Sequence, residues 1–404
     1  MYDLVLKGGT VLDPSQGLNE KMDVAVTGDR ISLVAPLISR TEGARVVEAL
    51  GKYVTPGLID IHAHVYDAGR SVNHPDTAGV RSGVTTVVDA GSAGPANFQD
   101  FCDFVMPQAK TRVYCLLNIF RDRTNPLDTK ESDIDVDEVV RVAQEHPDIV
   151  KGVKVLVYTR MVHLMGLKHL EAAKDAARQV GLPVMMHMGD IGPKDQPPTP
   201  TEVIGRALSI LDAGDIVTHL FTPLTGAALD PEGGLLPEIR DAQDRGVLFD
   251  TSYGDFNFGW ERAERVLAQG IIPDMIGTDI EVHPGAGYRT VSTRGLMEYA
   301  SFFLELGFSL EDIVRMSTLS PSKAIDIEDR SGSLAVGREA DLSVFEVVEG
   351  QWDLSDATGV SRTGTRALVP ILTVREGQII EPGEAPHSWG WGPPPAETPA
   401  RAGV

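Results

Sequence analysis

Between Pro56 and Asp279, eight apolar runs of strand length alternate with longer stretches of helical texture, and few folds accommodate that alternation. The runs are Gly57 to Val65, Val84 to Asp89, Arg112 to Asn118, Val150 to Val157, Pro183 to Met188, Asp215 to His219, Gly246 to Asp250 and Asp274 to Asp279. Rich in Val, Ile and Leu, they read as buried parallel strands. Eight of these with helices between them predict a (β/α)8 TIM barrel within an α/β fold. Glu131 to His146 and Lys168 to Val180 read as two of the helices, the second ended by Gly181-Leu182-Pro183.

The chain ends have another texture. From Tyr2 to Val54, short strands such as Asp3 to Leu6, Thr10 to Leu12, Val24 to Val26 and Ile31 to Val34 are broken by turn residues, Gly8-Gly9 among them. After Asp326 the pattern returns in Ala340 to Phe345, Ala367 to Glu376 and Gln378 to Ile380. The two ends are therefore expected to build one small β-sandwich domain, residues 1–55 with 332–381, around a barrel of residues 56–331. Residues 382–404 form an irregular Pro/Gly-rich tail whose Trp389 and Trp391 would dock on the surface or on a neighbouring subunit of a homo-oligomer.

Barrel chemistry gathers at the C-terminal ends of the strands. Side chains on a strand alternate faces, so His62 and His64 on the first run project to one side. Lys151 and Lys154 on the fourth are an odd number apart, and only one of them can face the interior. A lysine in a dry barrel is costly as a cation, so its pKa is expected to fall toward the neutral amine. A neutral amine can capture carbon dioxide, and the resulting carbamate has two oxygens that can bridge two metal ions. His187, His219 and Asp279 end the fifth, sixth and eighth runs. Singly each is more often a hydrogen-bonded strand-end residue than a ligand; together with His62, His64 and Lys154 they form a set that suits zinc, manganese, iron or cobalt better than magnesium or calcium.

The formal net charge of −22 over 404 residues argues against phosphate backbones and anionic lipid as partners. A small-molecule substrate, with no nucleic acid and no membrane, is the expectation. The two cysteines, Cys102 and Cys115, are too few for a disulfide framework and read as buried, reduced thiols. No leader-like segment opens the sequence, and a cytoplasmic protein is expected.

Four stretches resemble the amidohydrolase superfamily: Tyr2-Asp3-Leu4-Val5-Leu6-Lys7-Gly8-Gly9, Pro56 to His64, Gly83 to Asp89, and Gly337-Arg338-Glu339-Ala340-Asp341-Leu342. Asp89 to Gly94, Gly214 to His219 and Arg245 to Asp250 resemble its dihydroorotase-like, deacetylase branch. The resemblance covers nearly the whole chain and implies a two-metal centre with a carboxylated lysine. The family's ligand positions fall on His62, His64, Lys154, His187, His219 and Asp279.

The departures bear on substrate. Dihydroorotases carry Arg where this chain has Tyr66, and the deacetylase-like branch often has Arg where it has Leu156 and Gly-His-Gly where it has Ser252-Tyr253-Gly254. The pocket is thus expected to favour a less anionic or more aromatic substrate. Tyr66, Leu156, Tyr158, Arg160, Tyr253 and His283 are candidate substrate contacts, with His163 and Arg289 further possibilities. The expected activity is hydrolysis of an amide or ester by a hydroxide bridging two divalent metals, zinc foremost, with Asp279 as general base and then general acid. Hydrolysis of a cyclic amide or imide, of the hydantoinase or dihydroorotase type, is the rival activity. A catalytically silent scaffold is the rival from outside the enzymes, and retention of all six ligand residues weighs against it.

Overall fold

The computed structural model describes residues 1–66, 74–122, 129–191, 196–254, 256–281 and 294–383. His283, Arg289 and nearly all of the expected tail, Trp389 and Trp391 included, lie outside them. No helix among the described residues is long and apolar enough to cross a membrane.

The chain opens with β1 (Tyr2–Asp13), β2 (Leu18–Thr27), β3 (Arg30–Ala35), β4 (Gly43–Glu48) and β5 (Tyr53–Pro56). Gly8-Gly9 is not the turn expected from the sequence. It is a bulge inside one long strand, where the β1–β2 register shifts between Leu6 and Gly9 and Gly8 takes φ 69°. A glycine in the left-handed region lets the strand absorb an extra residue without ending.

Next come the parallel strands: β6 (Leu58–His64), β7 (Val84–Asp89), β8 (Arg112–Asn118), β9 (Val150–Val157), β10 (Val184–Met188), β11 (Ile216–Thr218), β12 (Leu248–Phe249) and β13 (Ile280–Glu281). They form one curled sheet of eight in the order β12-β11-β10-β9-β8-β7-β6-β13. Seven of the eight strands expected from the sequence match in place. The eighth is corrected: Asp274 to Asp279 is not a strand. Met275 makes a single parallel bridge to Asp250 beyond β12, and the strand proper begins one residue after Asp279, where Ile280 pairs with Ala63 of β6. The helix expected from Glu131 is also shorter, running Val136–Glu145 after Asp135 caps it by accepting from Glu138 N. Lys168–Val180 is helical as expected and ends at Gly181 in the left-handed conformation. Cys115 is buried, whereas Cys102 is only half-buried, a correction to the expected pair of buried thiols.

The chain closes with β14 (Leu342–Ser355), β15 (Ser361–Arg375) and β16 (Gln378–Ile380). β14 pairs with β5, so both chain ends join one mixed sheet in the order β16-β15-β14-β5-β1-β2-β3, with β4 on β1. Residues two apart, Leu4 with Leu6, Val24 with Val26 and Leu342 with Val344, give this sheet its apolar core. The β14–β15 hairpin runs further than its sequence texture suggested. Its distal half lies on the helices around the parallel sheet, where Trp260 Nε1 donates to Leu354 O at 2.9 Å and Leu368 N to Ser301 Oγ at 3.0 Å.

Candidate metal centre

His62 and His64 leave β6 on the same side, as strand alternation requires, and both are buried. Their Nε2 atoms lie 3.3 and 3.1 Å from one oxygen, Asp279 Oδ1. The three side chains form a compact group able to hold a metal ion, with candidate ligand atoms all within 4.8 Å of one another.

Each imidazole has one nitrogen committed elsewhere, and for His62, His187 and His219 the partner fixes the tautomer. Thr218 Oγ1 gives its hydrogen to Asp250 Oδ2 at 2.5 Å, so at its 3.0 Å contact with His62 Nδ1 it must accept, and Nε2 is the nitrogen left with a lone pair. His64 Nδ1 is 2.7 Å from Ser92 Oγ. His219 Nδ1 donates to Ser252 O at 2.9 Å, which leaves Nε2 toward Asp279 Oδ2 at 3.9 Å. His187 is committed the other way round, with Nε2 donating to Gly189 O at 2.9 Å and Nδ1 left over. Its ring stands edge-on to that of His219, centroids 4.5 Å apart. Lys154, buried on β9, brings Nζ to 3.3 Å from His62 Nε2 and 3.4 Å from Met185 Sδ. Lys151 points the other way, its Nζ lying 5.6 Å above the Tyr114 ring. All six sequence-predicted ligand residues thus meet in one cluster.

Two of them arrive by an unusual backbone. His219 has φ 72° and Asp279 φ 52°, both in the left-handed region that non-glycine residues seldom enter. Register pairs His187 with Thr218, so Thr218 takes the inward place on the sixth strand; the left-handed turn swings the next side chain, His219, back into the cluster. Such strain persists where surrounding contacts enforce it, as hydrogen bonds from Thr278 N and Asp279 N to His62 O do here.

The electrostatics follow from burial. Loss of water, with the Lys154 charge adding to it, pushes His187 down to about 3, and burial beside His187 pushes His219 well below the ordinary imidazole range. Burial and Lys154 also oppose charge on His62, but the Asp279 and Asp250 carboxylates outweigh them and raise its pKa. For Asp279 burial acts upward, and the surrounding imidazoles hold it well below the carboxylate range all the same. His187 and His219 are thus held neutral and Asp279 ionised, the states that metal ligation needs, whereas on His62 the carboxylates favour a proton that ligation must displace. Four imidazoles, an ionised carboxylate and a buried lysine gathered in one place fit a divalent metal of the nitrogen- and oxygen-binding kind.

Sequence reasoning passed over the residues that aim these ligands: Thr218, Asp250, Ser92 and Ser252. It also passed over Asp60, which accepts from Thr278 Oγ1 at 2.6 Å and is pushed up to about 7 by burial. Asp250 closes a sequence-predicted strand and Asp60 shares the His62 parity, so both carried a readable signal. The hydroxyls carried none.

The candidate substrate contacts divide. Leu156 and Tyr158 line a narrow cleft with Asn118, Phe120, Asp122 and Met161. The cleft adjoins the cluster, since Leu156 pairs with His187 in register and the Tyr158 ring stands 6.5 Å from that imidazole. Arg160 is half-buried on the neighbouring helix Thr159–Met165. Tyr66 packs its ring against Phe101 at 5.7 Å. Tyr253 donates its hydroxyl to Ser355 O at 2.8 Å and sits among Phe258, Tyr299 and Phe302. His163 is exposed, its Nε2 lying 3.2 Å from Pro197 O.

The model of the amidohydrolase family matches residues 53–380. A protein of Enterococcus faecalis named deacetylase is 29% identical over 385 residues, covering 94% of this chain and 99% of that protein. Among solved structures, one titled as an adenine deaminase superposes with a TM-score of 0.81 at 28% identity, covering 94% of this chain and 100% of that one. Another, of a dihydroorotase, superposes with a TM-score of 0.79 at 25% identity, covering 94% and 99%. The family match takes in the whole parallel sheet and every residue of the cluster, and with it this chain belongs to the amidohydrolase family and is a hydrolase.

Proposed function

We propose that the protein cleaves an amide or ester bond of a small molecule in the manner of a deacetylase, at a centre for two divalent metal ions, zinc foremost. His62, His64, His187, His219, Asp279 and an N6-carboxylated Lys154 would hold them. The observation that carries this reading is the convergence of His62 and His64 Nε2 on Asp279 Oδ1, with the opposite ring nitrogens already committed. The metal ions would supply water acidified to a pKa of about 7 and a Lewis acid for the scissile carbonyl. The carboxylation is an addition of the neutral Lys154 amine to carbon dioxide: one N–C bond forms, one C=O π bond opens onto oxygen, and the nitrogen releases one proton.

Asp279 is the residue to which this reading gives the proton transfers. Its Oδ1 faces His62 and His64, and its Oδ2 lies on the side of His219 and Asn257. The carboxylate takes the proton of the attacking water and returns it to the departing amine or alkoxide, general base then general acid. Leu156 and Tyr158 line the wall next to His187 and give the substrate an apolar neighbour.

A linear acyl substrate is favoured over a cyclic one by Tyr66, which packs on Phe101 where dihydroorotases carry Arg. The dihydroorotase structure at a TM-score of 0.79 supports the cyclic alternative. A panel of acyl esters, N-acyl amino acids and cyclic imides, run on protein of measured metal content, decides between them. Turnover of the linear substrates alone is expected; turnover of the cyclic imides alone would reverse the assignment.

The same reading takes the curled sheet as a closed (β/α)8 barrel over residues 56–331, with 1–55 and 332–381 as one discontinuous β-sandwich domain. The Asp250–Met275 bridge at one edge and the Ala63–Ile280 pairing at the other support closure.

A further inference from the structure

Asn257 is fully buried beyond β12, outside every strand and ligand position, and its side chain reaches the side of Asp279 away from His62 and His64. Asn257 Nδ2 lies 3.5 Å from Asp279 Oδ2, while its Oδ1 accepts from Thr222 Oγ1 at 3.1 Å. Thr222, also buried, accepts in turn from Leu224 N at 3.3 Å, which leaves its hydroxyl hydrogen for the amide. The amide has only this orientation. Turned over, it would set its oxygen against a carboxylate oxygen with no hydrogen between them.

The neighbouring backbone keeps room for this contact. Gly254 has φ 42°, and a Cβ there would stand 2.5 Å from Asp279 Oδ2 and 3.2 Å from Asn257 Nδ2. Asn257 N also donates to Tyr253 O at 2.8 Å, which ties the asparagine to the turn that holds this glycine. Asp279 Oδ1 thus faces His62 and His64, while Oδ2, 3.9 Å from His219 Nε2, also meets the Asn257 amide, whose direction is set by a threonine.

We propose that Asn257, oriented by Thr222, is a positioning residue that holds Asp279 in the rotamer from which it transfers protons. It acts through Asp279 and does not touch the reacting atoms. The inference rests on the shuttle role proposed above, and the two are separable by experiment.

Steady-state kinetics and metal content are measured for Asn257→Ala, Thr222→Val, Thr222→Ser and Asp279→Asn, and for Asn257→Ala combined with Asp279→Asn. The substrate is the best in the ester, N-acyl amino acid and imide panel. Asn257→Ala is expected to lower kcat about 10–100-fold, the range typical of residues that support a ligand, with KM and metal content unchanged. Thr222→Val should give a smaller loss and Thr222→Ser none. In the Asp279→Asn background, removing Asn257 should cost nothing more. Wild-type kcat in Asn257→Ala, or an equal loss with and without Asp279, overturns the positioning role. If Asn257→Ala does not fold, the nearly isosteric Thr222→Val decides, and unchanged kcat there overturns it. Slow Asp279→Asn with normal Asn257→Ala leaves the shuttle standing and removes the positioning role. Normal turnover in fully metallated Asp279→Asn removes both.

Discussion

His62 Nδ1 and Thr218 Oγ1 stand 3.0 Å apart, and because the threonine hydrogen is committed to Asp250, the contact fixes which nitrogen of His62 faces the cluster. A metal ligand held in one tautomer binds without first reorganising. Thr218→Val keeps the shape and removes the acceptor, leaving His62 Nδ1–H buried without its hydroxyl partner. Metal affinity, measured by competition with a chelator, is expected to fall about 10–100-fold. Unchanged affinity would show that the tautomer is set some other way.

Asp279→Asn tests the shuttle itself. The substitution keeps an oxygen ligand and removes the basic carboxylate. Metal content should fall only in part, and kcat should drop by the ~10²–10⁴-fold typical of general acid–base catalysis. The measurement is kcat per bound metal, so that lost ligation is not mistaken for lost proton transfer.

His62 and His64 were legible in the sequence because alternation on a buried strand is a local rule. Lys154 was separable from Lys151 by the same rule. His219 and Asp279 were found as strand-end residues, but the left-handed turns that aim them were not, since φ 72° and 52° at non-glycine positions answer to tertiary contacts. That also explains the misplaced eighth strand, because Asp279 interrupts the extended chain just before Ile280. The β14–β15 extension is not legible because Glu346 to Ser355 mixes charged residues, a glycine and a tryptophan without a clean period, and its pairing with β15 and packing on the helices make it a strand. Thr218, Ser92 and Asn257 are ordinary polar residues in sequence and acquire their roles only by proximity.

Trp260 joins that hairpin to the helices. It is fully buried, its ring stacks on Phe302 with centroids 5.3 Å apart, and its Nε1 donates to Leu354 O. Trp260→Ala should lower the free energy of unfolding by roughly 3–5 kcal/mol, the usual result of deleting a buried large aromatic side chain. Urea denaturation followed by circular dichroism reads the loss, and a change below about 1 kcal/mol would contradict the assigned packing.

Asp190 gives the fold an acid-sensitive tie. It gathers Thr159 N, the Thr199 backbone and hydroxyl, and the Thr225 hydroxyl. Burial alone would raise its pKa, but the donors from Thr199, Thr159 and Thr225 outweigh burial and set the folded value below the ordinary 3.8. A depressed folded pKa means that the stabilisation is present above the unfolded value and is lost as pH falls through the folded one. The wild type should therefore lose more stability than Asp190→Asn as pH falls below about 4. Parallel unfolding curves for the two proteins across pH 3 to 6 would contradict this tie.

The most direct test of the two-metal account is a crystal structure of protein loaded with zinc and grown with bicarbonate, with anomalous data collected at the metal edge. Two anomalous peaks are expected, one among His62, His64 and Asp279 and one beside His187 and His219, with added density on Lys154 Nζ bridging them. A bare Lys154 ammonium paired with a carboxylate, and no metal peak near His62, would contradict the account.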